Sequence, residues 1–349
     1  MKKVLFYNYD INTNRQLFSG EDIAIGDDLL LPFKKTRAHL IKYNVDCFTS
    51  EYNDFSDIDL FVILDLPSHV LRLVEKVKSM NIPVILIHME GHTIIKDPLS
   101  DRENSKLFDY VLSWYSPYKF FLKEKFKQIH FTFPEENIFL NETVTKNIIC
   151  ISNNKFSNDP NELYSLKRKW ILDFNRNLPN RLDLFGFGWN KYIFEGHNIF
   201  SNALNKINLR LNFFSQNLLV YKGSIGRKRD ALNMYTFSLI IENVSENYWI
   251  TEKIFDSLIN GVIPIYQGCV NIKEYVPSDC YIDLNAFETA GALATYIDNL
   301  SDEDIQRYRN NITKFLVSPS AFPFTNKSFV TTLSDVILKQ LDISAHNES

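Results

Sequence analysis

Short apolar runs alternate with segments of helical spacing along most of the chain, and this alternation predicts an α/β protein. The predicted strands of the first half cover residues 3–9, 60–66, 84–89 and 108–114. Those of the second half cover residues 147–152, 181–185, 237–241, 262–266 and 280–284. Helical spacing separates many of these runs, for example at residues 29–43, 163–175 and 252–260. This order is typical of doubly wound parallel sheets.

A polar stretch without regular spacing, residues 133–146, lies between the two series and is interpreted as a linker. We therefore predict an N-terminal Rossmann-like domain over residues 1–140 and a C-terminal one over residues 147–322. A C-terminal helix and tail, residues 323–349, complete the 349-residue chain. Two domains of this kind are expected to face each other across a ligand-binding cleft.

The clearest local pattern is a strand, loop, helix and second strand within residues 237–268. Thr251 occupies the expected N-cap position of the helix, and Glu252 follows in its first turn. Gly261 fits the C′ position that ends the helix. In a parallel βαβ unit, ligands bind beyond the carboxyl ends of the strands, so the polar loop 242–252 is a candidate binding segment.

Lys253 places a cation in the first helical turn, where the helix macrodipole disfavours positive charge. A lysine there can join the free backbone amides in holding a phosphate, or it can be a solvated surface side chain. Arg168 and Lys222 are candidates to share such a phosphate, although each alone is more often a solvated charge.

Glu90 follows the predicted strand 84–89 and precedes Gly91. A carboxylate at a strand end can accept the proton of an attacking hydroxyl. The alternative is a structural carboxylate that caps a helix or forms a salt bridge in a loop.

Three sequence patterns that can bind metals are each better explained without one. Asp57 and Asp59 form a DxD pattern before a strand, away from the ligand end of a sheet. Residues 302–304, Asp-Glu-Asp, open a helix, where acids are favoured. His88 and His92 straddle a strand end, so we expect their rings not to pair. The sequence predicts no metal site.

Composition narrows the class of protein further. A net charge of −4 argues against a general nucleic-acid-binding protein. The 4 cysteines form no CxxC pair, which predicts free thiols in a reducing cytosol. No apolar run reaches the ~20 residues of a membrane span. We expect a cytoplasmic protein, and peripheral contact with a membrane is left open.

Three runs carry a family resemblance: IEN at 241–243, YWITEKI at 248–254 and GVIPIY at 261–266. Together they resemble the signature of the α-1,3/4-fucosyltransferases, glycosyltransferase family 10. In that family the pattern reads F-E-N, a short spacer, Y-V/I-T-E-K-I, then G-x-x-P-I-Y-x-G. Residues 182–186 and 221–223 also resemble motifs of the family, and residues 271–272, 275–277 and 281–283 match bacterial members. The N-terminal domain matches weakly, mainly at Glu90 and residues 108–110.

The resemblance implies a GT-B fold and an inverting transfer of L-fucose from GDP-fucose, with no metal or other cofactor. Glu90 corresponds to the general base, and Arg168 and Lys253 correspond to the cations that hold the pyrophosphate. The remaining residues predicted to bind the donor are Lys222, Asn243, Tyr248, Trp249, Thr251 and Glu252. The expected acceptor is an oligosaccharide or a lipid-linked glycan in surface polysaccharide or glycoconjugate synthesis.

Two further interpretations stay open. Trp249 stands where the family usually has tyrosine, which favours testing another GDP-activated deoxy or amino-deoxy sugar, such as a perosamine-type donor. A protein of another class, a non-catalytic GDP- or glycan-binding protein, could keep the same fold. The joint presence of Glu90, Arg168, Glu252 and Lys253 argues against it.

Overall fold

The structure, a computed structural model, describes residues 1–10, 14–15, 17–18, 30–49, 55–92, 94–132, 138, 145–194 and 199–344. The chain forms two compact units, one of Met1–Phe133 with Phe322–Ser349 and one of Pro134–Ala321. Each unit contains a six-stranded sheet in which every described pair of neighbouring strands is parallel. The predicted α/β class with two Rossmann-like sheets is confirmed.

The sheet of the first unit has the order β2-β1-β3-β4-β5-β6. Its strands are β1 (Lys2–Asn8), β2 (Val45–Thr49), β3 (Leu60–Leu64), β4 (Val84–His88), β5 (Tyr110–Ser113) and β6 (Phe126–Gln128). Its helices before the linker are α1 (Leu31–Ile41), α2 (Leu71–Ser79) and α3 (Lys119–Leu122).

Both faces of this sheet are covered. All five residues of β3 and all five of β4 are buried, as expected for central strands of a parallel sheet. Alternate residues of β1 enter different cores, because successive side chains point to opposite faces of a strand. Val4 and Phe6 pack in one cluster, and Leu5 packs in the other.

The sheet of the second unit has the order β12-β11-β10-β7-β8-β9. Its strands are β7 (Ile148–Ile151), β8 (Leu182–Phe185), β9 (Tyr221–Gly223), β10 (Phe237–Ile241), β11 (Ile263–Gln267) and β12 (Ile282–Asp283). Its helices are α4 (Tyr164–Asn177), α5 (Ile199–Leu211), α6 (Lys228–Leu232), α7 (Glu252–Ile259), α8 (Ala290–Asp298) and α9 (Asp302–Leu316).

The C-terminal helix, α10 (Asn326–Gln340), returns to the first unit. It packs on α1, where the rings of Phe33 and Phe329 meet edge to face with centroids 5.2 Å apart. Leu333 and Ile337 of α10 are fully buried in the same core as Val4. The predicted C-terminal helical segment is therefore a part of the first unit's core.

Within the described ranges, none of the helices combines the length and the apolar character that crossing a membrane requires.

Candidate functional site

The βαβ unit predicted from local pattern is present as β10, α7 and β11. Thr251 is the N-cap of α7, and its side-chain oxygen accepts a hydrogen bond from the Lys253 backbone N–H at 3.4 Å. Gly261 follows the helix with φ +63°, a left-handed conformation that glycine adopts without strain. The loop between β10 and α7 therefore lies at the carboxyl end of β10.

Glu242, the first residue after β10, has a side chain with no solvent exposure. Its Oε1 accepts a hydrogen bond from the Thr251 hydroxyl at 2.7 Å, and its Oε2 lies 2.9 Å from the Lys253 Nζ. The Lys253 Nζ also donates to the Thr251 hydroxyl at 3.0 Å. Lys253 is thus tied into a buried polar network, and the interpretation of a solvated surface lysine is wrong.

The buried position of Glu242 depends on Gly268. A Cβ added at Gly268 would lie 2.4 Å from Cγ and 2.5 Å from Cβ of Glu242. Real side chains do not approach this closely, so any larger residue at 268 would displace the carboxylate.

Neighbouring groups of opposite charge favour the charged forms of Lys253 and Glu252. Burial of the Lys253 ammonium lowers its pKa, but Glu242 and Glu252 together raise it by more, so the net shift is upward. Burial raises the pKa of Glu252, and Lys253 and Lys228 together lower it by more. The ammonium of Lys228 lies 2.9 Å from Asp256 and 3.8 Å from Glu252.

A pocket lies along β7 and β10 beside α7, and three lysines and one acid line it: Lys167 of α4, Lys228 of α6, and Lys253 and Asp256 of α7. Lys167 is 3% exposed. Burial, followed by the nearby charge of Lys253, lowers the pKa of Lys167 to about 8. Ammonium groups crowded beside a helix N-terminus can hold an anion such as a diphosphate, and a bound anion would relieve their mutual repulsion.

Lys167 lines the pocket although the sequence pattern pointed to its neighbour Arg168. The Arg168 guanidinium donates to the Lys155 carbonyl oxygen at 2.5 Å and to the Ser165 hydroxyl at 3.1 Å. Arg168 does not line the pocket, whereas Lys167 does. Both residues are buried on α4 together with Tyr164, Ile171 and Phe174, so helical phase does not distinguish them.

Lys222 lies on β9, at the opposite edge of the sheet from β12, and β7 and β8 stand between it and β10. Its ammonium is 3.4 Å from Asp183, and it does not line the pocket.

The other predicted donor-binding residues lie in or beside the loop after β10. The Asn243 carbonyl oxygen accepts the Leu163 N–H at 3.0 Å. Tyr248 has φ +70°, which is strained for a bulky residue, and its N–H donates to Asn271 Oδ1 at 2.8 Å. Trp249 is 8% exposed, so the aromatic ring at the family's tyrosine position lies mostly inside the protein.

In the first unit, the backbone of Glu90 is held on both sides. Its N–H donates to Asp65 Oδ1 at 3.0 Å, and its carbonyl oxygen accepts from the Trp114 indole at 3.2 Å. Asp65, at the end of the neighbouring β3, is 3% exposed and also accepts the Met89 N–H at 2.7 Å. Burial raises the pKa of Asp65 to about 7, against the opposing effect of these N–H donors.

The prediction about the two histidines is wrong. The rings of His88 and His92 stack, with centroids 5.4 Å apart and planes at 20°. The chain turns back after β4 and brings residue 92 over residue 88, which the fourfold spacing alone does not reveal. His88 is fully buried, and burial, followed by the charge of His92, lowers its pKa to about 3.

The two acidic patterns have structural partners. Asp59 accepts hydrogen bonds from the Lys2 ammonium at 2.7 Å and the Lys3 N–H at 2.8 Å. Ser301 and Asp304 form a capping box at the start of α9. The described residues contain no group of three or more potential metal ligands.

Residues 195–314 match the family model for the C-terminal part of glycosyltransferase family 10 (fucosyltransferase). An α-(1,4)-fucosyltransferase of Arabidopsis thaliana is 37% identical over 75 residues, which cover 22% of this chain and 19% of that protein. An α-(1,3)-fucosyltransferase B of Drosophila melanogaster is 42% identical over 72 residues, which cover 20% of this chain and 16% of that protein. The chain thus matches less than a fifth of either relative's length. The predicted resemblance to family 10 is confirmed.

Solved structures support the same fold. A crystal structure of an α1,3-fucosyltransferase aligns with a TM-score of 0.51 at 12% identity, over 99% of this chain and 91% of that one. The Anabaena protein HepE in complex with UDP-glucose aligns with a TM-score of 0.55 at 12% identity, over 97% of this chain and 100% of that one. The fold is that of the GT-B glycosyltransferases.

Proposed function

We propose that this chain transfers L-fucose from GDP-fucose to a hydroxyl group of a glycan acceptor, with inversion at the anomeric carbon and without a metal ion. The observation that carries the proposal is the pocket along β7 and β10 that Lys167, Lys228 and Lys253 line. Residues 228 and 253 lie inside the segment that matches family 10.

The second unit supplies positive charge that can stabilise the departing nucleotide. Negative charge develops on the β-phosphate as the bond to the sugar breaks, and preorganised cations stabilise it. Lys253 is fixed by Glu242 and Thr251, so it needs little rearrangement to meet that charge. Lys167 and the N-terminus of α7 complete the proposed diphosphate site, and Arg168 stays a prediction.

Glu90 is the proposed general base. The acceptor oxygen forms a bond to the anomeric carbon while the bond from that carbon to the β-phosphate oxygen breaks. The hydroxyl proton passes to Glu90, and the bonding electrons leave with GDP. Two hydrogen bonds support this role because they restrict where the Glu90 carboxylate can lie: the Glu90 N–H donates to Asp65, and the Trp114 indole donates to the Glu90 carbonyl oxygen.

The test is calorimetry with GDP in EDTA, followed by turnover of GDP-fucose on an acceptor array. We expect GDP to bind without a divalent cation and a fucosylated product to form. A strict requirement for Mg²⁺ or Mn²⁺ in binding would contradict the metal-free proposal. GDP binding with no turnover of any donor would favour the non-catalytic alternative.

Trp249 supports testing a second donor. The buried indole replaces a phenol that could hydrogen-bond a sugar hydroxyl, so a perosamine-type GDP-sugar belongs in the same donor panel. Faster turnover of that donor than of GDP-fucose would replace the proposed sugar and keep the GDP site.

A further inference from the structure

Helix α5 buries a row of polar side chains and exposes a row of large apolar ones. Ser201, Asn205 and Asn208 lie on the buried face and are 5%, 1% and 1% exposed. Phe200, Ile207 and Leu211 form a second row on the neighbouring exposed side and are 74%, 48% and 62% exposed. The buried face of a surface helix is normally the apolar one.

The buried face is fixed by hydrogen bonds that leave no alternative rotation of the helix. Asn205 accepts the Phe194 N–H at 2.7 Å and donates to its carbonyl oxygen at 3.0 Å. Asn208 accepts the Phe214 N–H at 2.7 Å and donates to the carbonyl oxygens of Tyr192 and Phe214, both at 2.8 Å. Rotating the apolar face inward would leave these buried polar groups without their hydrogen-bond partners, so the exposure of the apolar face is part of the fold.

The exposed face continues beyond the helix. Phe213 and Phe214 follow α5 and are 68% and 51% exposed. We call Phe200, Ile207, Leu211, Phe213 and Phe214 the α5 apolar face. Five large apolar side chains that are 48% to 74% exposed within fifteen residues exceed the scattered exposure of an ordinary surface and mark an interaction site.

Charge identifies the kind of partner. Residues 199–219 contain the cations Lys206 and Arg210 and no acidic residue. Both cations are exposed and lie one helical turn apart beside the apolar face. Two copies of such a surface would repel each other, whereas an anionic lipid surface would attract the cations and accept the apolar side chains.

We propose that the α5 apolar face lies on an anionic membrane surface, with its phenylalanine, isoleucine and leucine side chains at the boundary between headgroups and acyl chains. Helix α5 lies along the surface and does not cross it. Lys206 and Arg210 bind the lipid phosphates from its flanks. This proposal does not depend on which sugar the protein transfers.

The experiment is flotation of the whole chain with vesicles of phosphatidylglycerol and phosphatidylcholine, compared with vesicles of phosphatidylcholine alone. We expect binding to the anionic vesicles that weakens as salt rises. Changing Phe200, Ile207 and Leu211 together to Ser should lower the partition coefficient roughly 100-fold or more, since each buried apolar side chain contributes strongly. Lys206→Glu with Arg210→Glu should lower it at least about 30-fold, at roughly 1 kcal/mol for each cation near the surface.

Phe120→Ser is the matched control, because Phe120 is 76% exposed and lies in the first unit. It should bind vesicles as the parent does. Melting temperatures should agree for all variants, because the replaced side chains are exposed. No binding of the parent to anionic vesicles, or equal binding of the triple variant, would overturn the proposal. A parent dimer that the triple variant converts to a monomer, without vesicle binding, would assign the surface to a second copy instead.

Discussion

The Lys253 ammonium lies 2.9 Å from the carboxylate of Glu242, a side chain with no solvent exposure. The pair couples the proposed diphosphate site to the core of the second unit, since Lys253 is the charge that compensates a buried carboxylate. From the sequence alone, Lys253 could be a solvated surface lysine whose loss would leave the fold unaffected. The pair changes that expectation.

Lys253→Ala should therefore lower both stability and GDP affinity. Removing one partner of a buried ion pair typically costs about 3–5 kcal/mol, and a lost charge-assisted phosphate contact costs about 1.5–3 kcal/mol. Adding Glu242→Gln to Lys253→Ala should restore much of the free energy of unfolding, because no buried charge is then left unpaired. GDP affinity should stay low in this double variant. Denaturant unfolding and calorimetry on the same preparations measure both effects, and parent-like GDP affinity in either variant would remove Lys253 from the site.

Lys167→Ala and Arg168→Ala form a matched pair on one helix turn. We expect Lys167→Ala to weaken GDP binding by about 1.5–3 kcal/mol and Arg168→Ala to change it much less, because only Lys167 lines the pocket. Calorimetry at constant pH measures the difference. The reverse order of effects would support the family-based assignment of Arg168.

The pH dependence of GDP binding should follow Lys167. Its pKa is lowered to about 8, so the ammonium is charged below that pH and becomes neutral above it. An anion binds the charged form, so affinity should fall as pH rises from 7 to about 9. Lys167→Arg should flatten this fall, since arginine stays charged over the whole range. A parent whose GDP affinity is constant across this range would contradict the prediction.

Glu90→Gln keeps the side-chain shape and removes the proton acceptor. Turnover should fall by ~10²–10⁴-fold, and GDP affinity and melting temperature should hardly change. A structural Glu90 would lower stability and leave the activity of each folded molecule intact. Near-normal turnover in a folded variant would leave the proposed mechanism without its base.

Asp65 should act on turnover through the position of Glu90. Its φ of +62° suits both Asn and Gly, so Asp65→Asn and Asp65→Gly share the backbone conformation and differ in the acceptor for the Met89 and Glu90 N–H groups. We expect Asp65→Asn to keep most of kcat and Asp65→Gly to lose on the order of 10²-fold, the usual effect of a misplaced catalytic group. GDP affinity serves as the internal control. Equal kcat in the two variants would contradict a positioning role.

Gly268→Ala should destabilise the protein by about 1–3 kcal/mol, because the new Cβ would overlap Glu242. Gly226→Ala is its control, since a Cβ there would meet no atom within 4 Å. Denaturant midpoints compare the two. Equal midpoints would show that Glu242 can move without cost.

The local sequence pattern was sufficient to predict the βαβ unit. A buried run, an N-cap threonine and a C′ glycine are defined by neighbours in sequence, and Thr251 and Gly261 occupy those positions in the structure. The partner of Lys253 was harder to predict, because Glu242 lies eleven residues away and only the turn after β10 brings the two side chains together. Lys167 and Arg168 are both buried on α4, so neither the sequence nor the helical phase separates them, and only the pocket lining does.

Other elements broke the patterns on which sequence reasoning depends. Helix α5 has buried asparagines and exposed phenylalanine, so its apolar spacing does not identify the side that meets the core. Strand β2 has only five residues, and its partly exposed side chains dilute the apolar signal.

The position of α10 in the sequence determines which of the two units can finish folding first during synthesis. The core around Val4 and Phe6 is completed by Phe329, Leu333 and Ile337, which follow the whole second unit along the chain. All of Pro134–Ala321 is translated before them. The second unit can therefore finish folding on the ribosome while the first unit, although begun earlier, still waits for its final helix. A chain truncated after residue 321 should then carry a protease-resistant second half and a protease-sensitive first half.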